Sequence, residues 1–356
     1  MRAYIAIWIP VVLWFWGVPL PLHAEVYSET QEFTEEFSGG QSFYLETLSG
    51  SVKIQGVAGN VVRVIAVKKA EGSEEKAGKA LKEMKIEVKR SGEQLDVITK
   101  LPGEEGFLSR VFGDDRGHRD VWVDFEVTIP SRLHVTVDAT SAGVDVRNVG
   151  GDVTLDLTSG DVTGQGLGGD VVVDGTSGRV ELRQVAGDLL IDNTSGEVVV
   201  EGCKGSVGVD KTSGDVWLRG IGKDVEVDGT SCDVRGEEIE GYVALNLISG
   251  NAELKGLGQG ISLDAVSGDI RASFRSAPKR ECQISSISGD VSLYVPEAAD
   301  LNLDLESVSG QLSVELEGLQ VREVSKSALR AITGSGRIPV SIETVSGDIE
   351  VRHEGK

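Results

Sequence analysis

Along the second half of the chain apolar and polar residues alternate with a period of two, and glycine breaks the alternation at short, regular intervals. Period two is the pattern of a β-strand with one face turned inward. The corner TSGDV at 158–162 returns as TSGRV at 176–180. Its serine recurs at Ser141, Ser159, Ser177, Ser195, Ser213, Ser231, Ser249 and Ser267, each 18 residues after the last. Two more corners follow at Ser288 and Ser309 after steps of 21 residues, and a final VSGD places Ser346. Aligned on this serine, the positions six before (Val135, Val171, Leu189, Val225), four before (Val137, Val173, Ile191, Val227) and three after (Val144, Val180, Val198, Val234) stay aliphatic. One such hairpin cannot bury its apolar face alone. Stacked copies can, pairing backbone to backbone about 4.8 Å apart and merging the columns into one core. The pattern predicts an all-β protein, a β-solenoid of 18 residues per coil.

Two columns carry further expectations. The residue before the serine is Thr at six corners from Thr140 to Thr230, then Ile248, Val266, Ile287, Val308 and Val345. Exchange of Thr for aliphatics predicts a methyl facing inward. Glycine dominates one and ten residues after the serine (Gly178 and Gly187, Gly196 and Gly205), where it is expected to supply the positive φ of tight corners.

The N-terminal part departs from the repeat. TLSGSVKIQGVAGN at 47–60 reads as one coil in the same register. Ala77, Leu81 and Met84 have helical spacing and predict a small helix over 73–84, with strands over 85–90, 94–100 and 121–130. Residues 103–120 read as a flexible, glycine-rich loop. Residues 25–134 are therefore expected to form an N-terminal β-rich cap over the open first coil, and 135–356 the repeats, with GSGRIPVSIETVSGDIEVRHEGK closing the stack. Residues 1–24, MRAYIAIWIPVVLWFWGVPLPLHA, have the order of a signal peptide, with Arg2, an apolar run and a small residue, Ala24, at the cleavage position. An uncleaved anchor is the alternative, since about twenty apolar residues can span a bilayer. The expected mature protein is exported, to the periplasm or the cell surface, and does not span the membrane.

Charge then narrows the partners. The chain carries a net charge of −22, and loss of Arg2 with the leader makes the mature chain more acidic still. Phosphate backbones would be repelled, which excludes nucleic acid. Three cysteines, Cys203, Cys232 and Cys282, are too few and too irregular for a disulfide framework.

These features resemble the bacterial DUF4097 family of β-strand-repeat proteins, often labelled candidate adhesins and related to the heads of some autotransporter adhesins. The resemblance lies in LSGSVKIQGVAG, in DFEVTIPSRLHVTVDATSAGVDV, in the serial SGDV corners and in GRIPVSIETVSGDIEV. It implies a single-stranded, right-handed β-helix, an envelope or extracellular location and no assigned catalytic residue.

Candidate chemistry is sparse. Three before the serine stands a row of Asp138, Asp156, Asp174, Asp192, Asp210, Asp228, Asn246 and Asp264. Carboxylates about 4.8 Å apart repel by roughly 1 kcal/mol per neighbour in a water-like medium. Either each Asp accepts turn N–H groups as a cap, or Asp156, Asp174, Asp192, Asp210 and Asp228 hold Ca²⁺ between coils, although the GGxGxDxUx motif of calcium-binding rolls is missing. A second set of acids, including Asp161, Asp215, Asp233 and Asp269, follows the corner glycine. Cys203 falls in an inward column, whereas Cys232 replaces a corner glycine and is expected at the surface edge, open to reaction. Four after the serine run Glu181, Val199, Trp217, Arg235 and Glu253, and two further on Arg183, Glu201, Arg219, Glu237 and Lys255. Trp217 beside Val199, Arg219 and Arg235 could stack on a sugar or a protein partner, or be a single surface aromatic. His23, His118, His134 and His353 have no metal-ligand spacing, and no nucleophile elbow or phosphate loop occurs. Coils without insertions are expected to leave no substrate groove. The chain thus reads as a non-catalytic interaction module for a surface polymer or envelope protein, or as a self-assembling structural element.

Overall fold

The computed structural model describes residues 25–100 and 121–353. The expected leader at 1–24, the loop at 103–120 and His118 lie outside the described residues. The chain divides into two compact units, 1–163 and 164–356.

In the first unit the strand Ser42–Val57 is the hub. It pairs in parallel with Gln94–Lys100, Val121–Pro130 and His134–Arg147. Ser49 lies opposite Ser141, so TLSGS stands in the repeat register as the pattern predicted. The strand Val61–Gly72 runs antiparallel between Glu25–Glu36 and Val121–Pro130. Glu25–Glu36 has no buried residue, which is why no apolar alternation marks it in the sequence. The helix Glu74–Glu83 matches the predicted span and buries Ala77 and Leu81 against Ala70. Lys68, itself buried, donates from Nζ to the carbonyls of Leu81 (2.9 Å) and Met84 (3.2 Å) and pairs with Glu29 (3.0 Å). It thereby satisfies orphan carbonyls at the helix C-terminus.

The second unit is built on two parallel ladders. One stacks Val171–Ser177, Leu189–Ser195, Val207–Ser213 and their successors; the other stacks Val180–Val185, Val198–Cys203, Val216–Ile221 and theirs. Val171 faces Leu189, which faces Val207, so each inward column repeats itself in space and is buried throughout. Among the described residues no helix is long and apolar enough to cross a membrane.

Glycine has two different tasks at the corners. One residue after the serine it holds a positive φ (Gly178 132°, Gly196 115°, Gly250 128°), as expected. A Cβ on Gly196 would lie 2.0 Å from the Gly178 carbonyl oxygen. Ten residues after the serine the expectation fails. Gly187 and Gly205 are glycines because backbones meet there, a Cβ on Gly205 falling 2.2 Å from the Gly187 oxygen. The second left-handed turn is seven after the serine, at Gly202 (74°), Gly220 (67°) and Gly256 (69°), where Gln184 and Glu238 adopt φ 57° without glycine.

The C-terminal segment does not close the stack. Val340 faces both Cys282 and Leu303, so Ile338–Ser346 is inserted between Cys282–Ser288 and Leu301–Ser309. The hairpin of Gln320–Val324 and Ala328–Ile332 packs against Leu301–Ser309 instead. Asp300 pins the turn that leads back in, accepting from the Ser335 N–H (2.7 Å), the Ser335 hydroxyl (2.7 Å) and the Arg337 N–H (3.2 Å). His353 is buried beyond it, Nε2 accepting from the Glu317 N–H at 3.0 Å and Nδ1 3.2 Å from the Val295 oxygen.

Gly196→Ala should cost about 3 kcal/mol or more through strain and backbone collision. Glu238→Gly should gain about 0.5 kcal/mol by relieving an L-residue from the left-handed region. Chemical denaturation of the two variants checks both signs.

Candidate functional site

Strand alternation decides which rows reach solvent. In Val171–Ser177 the residues 171, 173 and 175 point in, so Val172, Asp174 and Thr176 point out. The residue before the serine is therefore outward, and the inward methyl expected of it is wrong: period two carries the face set by Val171 and Val173 through to the corner. Thr176, Thr194, Thr212 and Thr230 are exposed. Where the column turns aliphatic it stays exposed: Ile248 56%, Val266 45%, Ile287 54%, Val345 50% and Val308 77%.

Pairing joins these five into one row. Ser249 faces Ser267, Ser267 faces Ser288, Ser288 faces Ser346 and Ser346 faces Ser309, which orders the preceding residues Ile248, Val266, Ile287, Val345 and Val308. Beside the row lie Asp228, Asn246, Asp264, Ser285, Glu343 and Glu306. Between the two rows runs a groove of about 480 Å³ whose lining includes Asp228, Gly229, Ile248, Asp264, Val266 and Ile287. It continues, with about 250 Å³ more, past Ile287, Glu343, Val345 and Val308. Uninserted coils were expected to leave no groove. They leave one because two outward rows of side chains stand above a floor of backbone.

The expected turn caps are also reassigned. The N–H groups at the corners go to the second set of acids, one coil on. Asp233 accepts from Asn251 N–H (2.8 Å), Asn251 from Asp269 (2.9 Å), Asp269 from Asp290 (3.0 Å), Asp290 from Asp348 (2.8 Å) and Asp348 from Gln311 (2.7 Å). Asp170, Asp188 and Asp224 do the same at the opposite corner. The Ser206 N–H and Lys223 hold the Asp188 carboxyl below its ordinary range. This stabilisation exists above that range and is lost as pH falls through it. Serine recurs for a related reason: its hydroxyl donates to the carbonyl before the previous corner, as from Ser195 to Thr176 (3.3 Å) and from Ser249 to Thr230 (3.2 Å).

The proposed metal row is outward-facing. Asp156 is exposed on its strand in the first unit, while Asp174, Asp192, Asp210 and Asp228 face one another in sequence in the second. Burial and the carboxylates of Asp174 and Asp210 push Asp192 up. Asn246 ends the run by donating to Asp228 at 2.6 Å. Among the described residues no group of three His, Cys, Asp or Glu side chains is arranged to hold a metal ion.

On the other face Val199, Trp217 and Arg235 are register partners of one another, as are Glu201, Arg219 and Glu237. Val199, expected at the surface, is buried at 4%, while Trp217 is half-exposed and Arg219 and Arg235 are exposed. The charges there alternate and pair: Arg183 with Glu201 at 3.2 Å and Arg219 with Glu237 at 3.9 Å. Arg219 and Arg183 border a shallow groove of about 450 Å³ with Gln184, Glu201 and Glu238.

Cys203 is buried as expected, and all three cysteines are free. Cys232 corrects the expectation of a residue at the surface edge. It is 3% exposed because its side chain turns into space left by Gly229, where a Cβ would meet its Sγ at 2.3 Å. Burial raises all three thiols, Cys282 to about 12. Lys211, which the sequence did not flag, is buried nearby. It donates to Asn193 Oδ1 at 2.6 Å, and burial pushes its ammonium down.

A chain of serine-cornered strands stacked in long parallel ladders, with one small helix, is an all-β repeat protein of solenoid-like build. Its residues 207–352 match the family described as Toastrack DUF4097. No curated protein matches the sequence. A solved structure of a candidate cell adhesion protein from Clostridium sporogenes is similar at 10% identity and a TM-score of 0.22, over 92% of this chain and 100% of that one. One of a candidate lipid binding protein from Parabacteroides distasonis is similar at 9% identity and a TM-score of 0.29, over 91% of this chain and 96% of that one.

Two substitutions separate the acidic rows. Asp290→Ala should cost about 1 kcal/mol by orphaning the Asp348 N–H. Asp192→Asn should stabilise the fold by a few tenths to about 1 kcal/mol at low salt, less at high salt, read as a higher Tm, because it removes like-charge repulsion. A lower Tm for Asp192→Asn in calcium buffer would instead mark a cation site.

Proposed function

We propose that the protein is an exported, non-catalytic interaction module, a right-handed β-helix of 18-residue coils that binds an envelope protein along its C-terminal aliphatic row. The observation that carries this reading is the exposure of Ile248, Val266, Ile287, Val345 and Val308 as one contiguous row. Single exposed aliphatics are ordinary, but contiguous apolar surface on a soluble fold marks an interaction site. The coils upstream place Thr at the same position, so the fold itself does not need an aliphatic there. An apolar row suits a protein better than a hydrated surface polymer.

The non-catalytic side of the reading is supported by what the reactive groups are doing. The thiols are buried and raised, and His353 has both ring nitrogens placed against backbone groups. Export is supported by the leader-like residues 1–24.

A photo-crosslinking residue at position 308 should give a covalent protein adduct in intact cells, and the same residue at position 176 should not. Equal labelling at both positions, or none at 308, would sink the assignment of the row.

A further inference from the structure

The chemistry of the row's occupant can be read from its two borders. On one side of the row stand Asn246, Asp264, Ser285, Glu343 and Glu306, three of the five acidic. On the other, at the corner that ends each strand, stand Asn251, Asp269, Asp290, Asp348 and Gln311, and the three Asp each accept one backbone N–H through a single carboxylate oxygen. In these columns from 226 to 348 there is no Lys or Arg. Arg330 reaches in from the hairpin to Glu306 (3.0 Å) and Asp304 (3.1 Å), at the end of the row only. An apolar stripe thus lies between two acidic margins. A second copy of the chain would set carboxylates against carboxylates, and a chain of net charge −22 is repelled by an anionic lipid surface.

The repeat distance selects the shape. Side chains in the row are one strand apart, about 4.8 Å, so five of them span roughly 19 Å. An α-helix laid along the row offers an apolar ridge residue about every 5.4 Å, and some 13 residues cover that length at a rise of 1.5 Å. An extended strand offers same-face side chains about every 6.7 Å and loses step with the row after two contacts. We infer that the aliphatic row is the seat of a cationic amphipathic α-helix of a partner protein, its apolar ridge on Ile248–Val308 and its Lys or Arg flanks over the two acidic margins. The inference rests on the interaction reading above and specifies the partner's chemistry.

The test uses the full mature chain and a helical leucine–lysine peptide of about 14 residues with leucine at i, i+3 and i+4 spacing. Two comparison peptides replace lysine by glutamate, or keep the composition and scramble the ridge. The protein variant carries Ile248→Thr, Val266→Thr and Ile287→Thr, which restore the residue of the upstream coils and so keep the fold. Calorimetry should show saturable binding of the leucine–lysine peptide, at least about tenfold weaker in the triple variant and weaker again at high salt. The glutamate peptide should not bind.

Equal affinity for the scrambled peptide, an unaffected triple variant, or no binding would overturn the inference, as would self-association through the row or adsorption to anionic vesicles that the triple substitution removes. If position 308 still crosslinks in cells while the peptide fails, the helix is wrong and the interaction module stands. If neither gives a signal, both fall.

Discussion

Everything in the repeat half depends on one interaction, the parallel backbone hydrogen bonding that sets each strand on its equivalent in the next coil. Because Val171 faces Leu189 and Ser231 faces Ser249, every column of the sequence becomes a line of like side chains in space. Inward columns profit, since apolar faces that could not be buried singly merge into one core. Outward columns have to live with the same rule. Like charges stack on like charges unless the sequence alternates them.

The two faces answer that constraint differently. On the face of Arg183, Glu201, Arg219 and Glu237 the sign alternates from coil to coil, and ion pairs form along the ladder. On the opposite face the carboxylates of Asp174, Asp192, Asp210 and Asp228 are stacked without alternation, and burial together with its two carboxylate neighbours pushes Asp192 up. The corner acids avoid repulsion of that kind by accepting a backbone N–H from the next coil. The aliphatic row is a third answer, with no charge at all, and it lies between two rows that do carry charge. That juxtaposition gives this face its chemical character.

Much of this was legible beforehand. The serine register, the helix at Glu74–Glu83 and the inward columns follow from periodicity alone. The exposed row was present in the same alignment. Thr-to-aliphatic exchange suggests burial, whereas alternation from Val171 and Val173 puts the position outside. Cys232 was misplaced because the space beneath it is created by Gly229, which no spacing rule describes. Lys211 was missed for a similar reason: a polar residue in an inward column, satisfied by Asn193 one coil away, leaves no mark in the pattern.

By itself, then, the sequence determined the strands, the inward columns and the register of coil on coil, since these follow from local alternation and a fixed interval. Tertiary structure alone decided the order in which the last coils stack. Leu301, Leu303 and Leu305 present the same alternation as Val340 and Ile342, so either strand could sit on Cys282–Ser288. The excursion through the hairpin and the turn held by Asp300 bring Ile338–Ser346 into that place. Val345 thereby falls between Ile287 and Val308, and the aliphatic row is continuous only because of it.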